Sequence, residues 1–160
     1  MRAAVLTVSD GVHAGVREDA SGEALAELLT EDGFEVLRRV VPDERELIVE
    51  AIAELAAESS VVLTTGGTGF APRDVTPEAT RTLLDREAPG IAEAIRSDAA
   101  SRTSHALLSR GVSGLRGPTL VVNLPGSTGG CRDGFAVLRP ALRHGLELAA
   151  GEASSRHEQT

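Results

Sequence analysis

A chain of 160 residues is long enough to bury a proper core and fits one domain of ordinary size, so residues 1–150 are expected to form a single unit. An apolar share of 41% is that of a globular protein, and no apolar run approaches the ~20 residues a membrane helix needs. A net charge of −8, with three Phe and neither Trp nor Tyr, argues against DNA or RNA partners, whose binding rests on clustered positive charge and on stacking.

Residues 3–9, AAVLTVS, read as a first strand, followed from Ser9-Asp10-Gly11 by a polar loop running to about Ser21. Ser21 then serves as N-cap of a helix with an apolar stripe at Leu25, Leu28 and Leu29 and a stop at Gly33. FEVLRRVV is a second strand ended by Pro42. The helix after it opens with Asp43 and Glu46 at capping-box spacing and carries an apolar stripe of Leu47, Ile48, Ala51, Ile52 and Leu55. Val61 to Thr65 form a third strand. TPEATRTLLDRE is a helix with Thr76 as N-cap and Pro77 at its first position, broken at Pro89-Gly90. IAEAIRSDAASR is helical again, and TLVVNL is an apolar strand preceded by a short strand and a Gly/Pro turn. DGFAVLRPALRHGLELA completes the helices, with Pro140 marking either a kink or a boundary, and residues 151–160 are expected to fray.

Strands alternating with amphipathic helices predict an α/β domain of three layers with a mostly parallel central sheet. Ligands of such sheets sit beyond the carboxyl ends of the strands, where the winding reverses. Ser9-Asp10, Pro42-Asp43 and the stretch from Thr65 to Asp74 all lie at those ends, so separate loops are expected to converge on one crevice.

Every basic residue in the chain is Arg, which excludes a catalytic lysine and a P-loop of the usual kind. Phosphate contacts must then come from Arg, backbone amides or a metal. Gly66, Gly67 and Gly69 can adopt positive φ and turn backbone amides toward an anion, although their spacing misses the dinucleotide fingerprint. Arg73-Asp74 follows, just before a helix start; Asp74 either serves the site or organises the turn. Asp43 has two readings as well, a helix cap or an oxygen ligand for Mg²⁺ at the rim of a phosphate pocket. His13, His105, His144 and His157 are dispersed and lack the paired spacing of zinc ligands. No G-x-S-x-G elbow occurs, which leaves Ser127 as a helix cap or a hydrogen-bond donor to an anion. Cys131 is the only cysteine and reads as a small buried apolar residue, with a reducing, cytoplasmic setting as the expectation. The N-terminal residues show no export-signal pattern.

TTGGTGFAPRDVTPEAT, with LTVSDG before it, VVPDE between and NLPGSTGGCRDG after it, resembles the Mog/MoaB family of molybdopterin adenylyltransferases in molybdenum cofactor biosynthesis, from about residue 3 to residue 148. The resemblance implies a three-layer α/β fold, a homotrimer, and adenylylation of molybdopterin by Mg-ATP with release of pyrophosphate. It implies that Asp74 and Asp43 are the catalytic and Mg²⁺-binding aspartates. Gly66, Gly67, Thr68 and Gly69 correspond to the glycine loop of the nucleotide and pterin phosphate site, Ser9 and Asp10 to the SD after the first strand, and Pro125, Gly126 and Ser127 to the pocket rim. A downstream molybdenum-insertion protein would receive the product. For Arg73, charge and adjacency suggest a contact to the leaving pyrophosphate, with a surface salt bridge as the competing reading. The C-terminal segment looks more like the short MoaB type than the longer Mog type, so a molybdopterin carrier without turnover is the alternative function. The related CinA-like domain shares the glycine loop but has a second acidic residue where Arg73 stands.

Overall fold

In the computed structural model, which describes residues 1–152, the first apolar run is strand β1 (Arg2–Val8). Ala3 and Val5 enter one apolar cluster, while Ala4, Leu6 and Val8 enter another, as the two-residue period of a strand requires. A strand apolar on both faces has to be covered on both, and amphipathic helices cover it.

Short helix α1 (Asp10–His13) follows, then α2 (Ala20–Glu31), β2 (Glu35–Val41), α3 (Arg45–Glu58), β3 (Val61–Thr65), α4 (Thr76–Arg81), β4 (Arg86–Glu87), α5 (Pro89–Ala100), a 3₁₀ turn (Ser104–Leu108), β5 (Ser113–Arg116), β6 (Thr119–Leu124) and α6 (Thr128–Ala149). The sheet order is β2-β1-β3-β6-β5-β4, with β2, β1, β3 and β6 parallel and the β5 and β4 edge antiparallel. Helices α2, α5 and α6 pack on one face around Leu25, Leu29, Phe135 and Leu146. Helices α3 and α4 pack on the other around Ile48, Ile52 and Ala79. Each Leu, Ile or Phe fully buried in this way contributes ~1.5–3 kcal/mol of transfer free energy. The expected three-layer α/β architecture is therefore the one observed. Because β2 lies on one side of β1 and β3 on the other, the winding reverses beside the C-terminal end of β1.

Several local expectations are corrected. The cap of α2 is Asp19, whose Oδ1 accepts from the Gly22 amide and the Thr7 hydroxyl while Oδ2 takes Arg38; Ser21 instead meets the Thr65 hydroxyl at 3.0 Å. The loop after β1 contains α1, capped by Ser9. Thr76 lies inside the first turn of α4 rather than capping it. The helix expected over 76–87 ends at Arg81, because the Asp85 and Ala88 amides bond the β5 carbonyls of Leu115 and Ser113, so sheet pairing overrides helix propensity. Pro89, expected to break a helix, starts α5, where its missing N–H costs no intrahelical bond. Helix α6 begins five residues before the expected Asp133 and runs through Pro140. The frayed tail was expected over 151–160, of which 153–160 lie outside the described residues.

Candidate active site

The loops after β1, β2 and β3 meet as expected, and Asp10 ties them together. Its amide donates to Asp43 Oδ2 at 2.8 Å, and the Asp43 amide returns a bond to Asp10 Oδ1 at 3.0 Å. Arg73 grips the same Asp10 carboxylate with Nε at 2.6 Å and Nη2 at 2.9 Å. The Arg73 hydrogen bond comes first, then the Asp43 contact, in holding the Asp10 carboxyl down to about 2. Arg73 thus forms the salt bridge that sequence reading held as the competing possibility.

Asp43 is not the helix cap. Glu44 occupies the cap position of α3 without a side-chain bond, because the Asp43 side chain is turned back to the Asp10 amide. Burial pushes the Asp43 carboxyl up, and the charges of Asp10 and Asp74 add to that, against the hydrogen bond from Asp10. Asp74 Oδ2 accepts from the Ala71 amide at 3.0 Å, three residues back, while the Asp74 amide donates to the Ala71 carbonyl at 2.9 Å, and the two bonds close the loop. Asp43 Oδ1 and Asp74 Oδ1 have no hydrogen-bond partner among the described residues. Both residues line a cavity of about 520 Å³.

Beside these carboxylates the cavity wall is backbone. Gly66 and Gly67 have φ of 98° and 69°, and Cβ atoms there would lie 2.3 Å from the Val8 carbonyl oxygen and 2.2 Å from Thr76 Oγ1. No other residue fits at either position. Gly69 lacks the expected positive φ, yet a Cβ on it would sit 2.9 Å from Asp74 Oδ2, so it clears space for that carboxylate. Gly126, Ser127 and Thr128 close the cavity at the start of the 22-residue α6, whose first turn carries no acidic residue. Ser127 is the N-cap, accepting from the Gly130 amide at 3.1 Å, as one of its two sequence readings held. The Gly66 amide is spent on the Leu124 carbonyl at 3.3 Å and the Gly130 amide on Ser127, so the donors left for an anion are the Gly67 amide and the first amides of α6.

Ser9, Asp10, Asp43, Gly66, Gly67, Asp74, Gly126 and Ser127 therefore share one cavity. Thr68, Gly69 and Pro125 face a smaller one of about 260 Å³ across the glycine loop, where Ser127 is common to both. Arg73 lines neither cavity, and its guanidinium is taken up by Asp10. Sequence reading placed Thr65 at the converging strand ends without giving it a role, and missed Arg17 and Thr128. Thr65 is buried at the last position of β3 and donates to the Pro125 carbonyl at 2.7 Å, linking the two rims. The pair of threonines, Thr64 and Thr65, that ends a central strand opened by Val61, Val62 and Leu63 was the available signal. Arg17 lines the cavity and has no carboxylate partner among the described residues. Nothing in its sequence neighbourhood marks it out. Cys131 is buried, and that burial pushes its thiol up to about 11, in keeping with the inert reading. No described helix is long and apolar enough to cross a membrane.

The chain is 36% identical over 160 residues to a molybdopterin adenylyltransferase of Helicobacter pylori, covering 97% of this chain and 91% of that one. It is 41% identical over 154 residues to the molybdenum cofactor synthesis protein cinnamon of Drosophila melanogaster, spanning 94% of this chain but about a quarter of that protein, 26%. The crystal structure of the molybdopterin biosynthesis enzyme MoaB of Thermus thermophilus superposes with a TM-score of 0.87 at 47% identity, covering 94% of this chain and 96% of that one. Residues 4–144 match the family described as the probable molybdopterin binding domain, and the chain belongs to that family.

Proposed function

We propose that this protein is a molybdopterin adenylyltransferase of molybdenum cofactor biosynthesis, joining molybdopterin to AMP from Mg-ATP. The observation that carries the reading is the meeting, in one cavity, of two carboxylate oxygens without partners among the described residues, on Asp43 and Asp74, with backbone amides not otherwise bonded at Gly67 and the start of α6. The adenylyltransferase among its relatives supports the substrate assignment.

The donor set fits Mg²⁺. The two oxygens are hard ligands, and no group of three or more His, Cys, Asp or Glu able to hold a metal occurs among the described residues. Mg²⁺ characteristically takes one or two carboxylates and completes its shell with water and substrate phosphates. Asp43 and Asp74 would hold the ion, which when bound offsets charge on the phosphates. The remaining work falls to the chain. The terminal phosphate oxygen of molybdopterin attacks the α-phosphorus of ATP, the bond from that phosphorus to the bridging oxygen breaks, and pyrophosphate leaves with the electron pair. The nucleophile belongs to the substrate, so the protein positions groups in line and stabilises their charge. Backbone amides of the glycine loop and of α6 hold the phosphates, and Arg17, unlike Arg73, has a guanidinium free to join them. A homotrimer and hand-over to a molybdenum-insertion protein are proposed with this reading; sedimentation velocity tests the former.

Incubation with molybdopterin and Mg-ATP should yield adenylylated molybdopterin and pyrophosphate, and Asp74→Ala should lower the rate at least ~100-fold, the scale of losing one preorganised electrostatic contact. Tight binding of molybdopterin without product would instead make the chain a carrier. Equal rates from wild type and Asp74→Ala would remove Asp74 from catalysis.

A further inference from the structure

Asp74 is held at every polar group but one. Its amide donates to the Ala71 carbonyl at 2.9 Å, its Oδ2 accepts from the Ala71 amide, and its carbonyl accepts from Arg110 Nη2 at 2.7 Å. Only Oδ1 remains, and Asp74 lines the cavity of about 520 Å³. The direction of Oδ1 is therefore set by whatever fixes the 71–74 turn.

Arg110 fixes it from a distant part of the chain. The residue precedes β5, more than thirty positions away in sequence. Its amide donates to the Thr68 carbonyl at 2.8 Å, its Nε to the Gly69 carbonyl at 2.8 Å, and its Nη2 to that of Asp74, while Nη1 pairs with Glu78 on α4. One side chain thus clamps both ends of the 69–74 loop and anchors them to the next helix. Only a planar fork of several fixed donors can hold two carbonyls and a carboxylate at once; an ammonium carries its donors on a single atom. Glu78 is kept for this pairing. Burial pushes its carboxyl up, yet the Arg110 hydrogen bond, its own backbone amide and the charges of Arg110 and Arg81 together outweigh that and leave it below its ordinary value. Its Oε2 is buried with no hydrogen-bond partner among the described residues, a cost that the Arg110 contact offsets.

We infer that Arg110 is a positioning residue for the adenylyl-transfer site, acting through the 69–74 loop to aim Asp74 Oδ1 into the cavity. The inference rests on the functional reading above. Arg110 touches no reacting atom, because it lies on the far side of the glycine loop. There it lines a separate cavity of about 510 Å³, together with Arg81, Arg96 and Glu93. That opening gives a small cation access to the space a truncated Arg110 would leave.

The experiment combines kinetics with amide exchange on the full chain. Arg110→Ala should lower kcat ~10- to 100-fold, the range expected for misplacing a catalytic group by about 1 Å, with KM for ATP changed far less. Arg110→Lys should fare almost as badly, and free guanidinium at millimolar concentration should recover part of the Arg110→Ala loss. In an Asp74→Ala background the same substitution should cost no more than about twofold, since two changes acting on one group are not additive. Amides 68–74 should exchange more than about tenfold faster in Arg110→Ala, with β3 amides unchanged. Full activity in Arg110→Lys would reduce the contact to an ion pair with Glu78, and an equal loss in both backgrounds would make it merely structural; either overturns the inference. Absence of product from wild type would defeat the adenylyl-transfer reading alone, and the exchange comparison would still decide whether Arg110 orders the loop.

Discussion

At Asp43, burial and the neighbouring Asp10 and Asp74 charges disfavour ionisation, whereas a cation in the cavity would favour it. A carboxyl raised in the folded state binds its proton more tightly there than in the unfolded chain. Stability therefore falls as pH rises from the ordinary 3.8 through the raised value, and the penalty stays at neutral pH. Asp43→Asn keeps an oxygen for the Asp10 amide and removes the charge. It should be more stable than wild type in urea at pH 7, equal to it near pH 3, and at least ~100-fold slower in adenylyl transfer. A variant no more stable at pH 7 would mean that Asp43 is not strained by its surroundings. Asp10 runs the opposite way. Its carboxyl sits at about 2 through the Arg73 hydrogen bond, so its contribution is complete above 3.8 and is lost as pH falls toward about 2. Asp10→Asn should flatten the acid limb of the stability curve and free Arg73. The Asp10–Arg73 pair is about half exposed, so its worth at neutral pH is small.

Helix α6 offers an internal comparison at the level of the element. Gly145 has nothing within 4 Å of a hypothetical Cβ, so Gly145→Ala should gain the ~0.5–1 kcal/mol of helix propensity. At Gly134 a Cβ would lie 2.9 Å from Leu124 Cδ2 and 3.3 Å from Ile95 Cγ2, both in the packed layer between α6 and the sheet. Overpacking costs ~1–3 kcal/mol against the same gain, so Gly134→Ala should destabilise by about 1 kcal/mol. Urea midpoints of the two variants should move in opposite directions, and a shared direction would contradict the close approach of α6 to β6. Sequence alone could not separate these glycines, since the difference lies in a partner strand. The same reason accounts for the other elements that escaped it. The parallel core was legible because β1, β3 and β6 are continuous apolar runs with amphipathic helices between them. Strand β4 was not, because Arg86-Glu87 has no strand pattern of its own and pairs only where β5 offers its edge. The cap of α2 was misplaced by two residues because Ser21 and Asp19 are both good caps, and the choice is made by Thr7 and Arg38 across the sheet.

In the molecule as a whole, the site exists only where the winding reverses, so three strand ends bring Asp10, Asp43 and the glycine loop to one place. That convergence could be read from the order of strands and helices. Which cations remain free could not: Arg73 adjoins the motif but is held by Asp10, while Arg17 sits in a featureless loop and reaches the cavity. The cavity gathers Asp10, Glu18, Asp43 and Asp74 against Arg17, and although Arg73 pairs with Asp10 from outside the lining, the acidic excess is one that a polyphosphate would meet unfavourably on its own. Binding of ATP and of Mg²⁺ should consequently be coupled, each raising affinity for the other. A ligand present at a hundred times its dissociation constant stabilises the native state by ~2.7 kcal/mol. At roughly 2–4 °C per kcal/mol for a chain of this size, Mg-ATP should raise Tm by about 5–10 °C. ATP with EDTA, or Mg²⁺ alone, should each give less than half of that shift. In Asp43→Asn the charge that opposes ATP is reduced and a metal ligand is lost together, so ATP with EDTA should stabilise this variant more than it does wild type, and adding Mg²⁺ should contribute little further. An equal shift for wild type with and without EDTA would show that the two aspartates do not bring metal and nucleotide together.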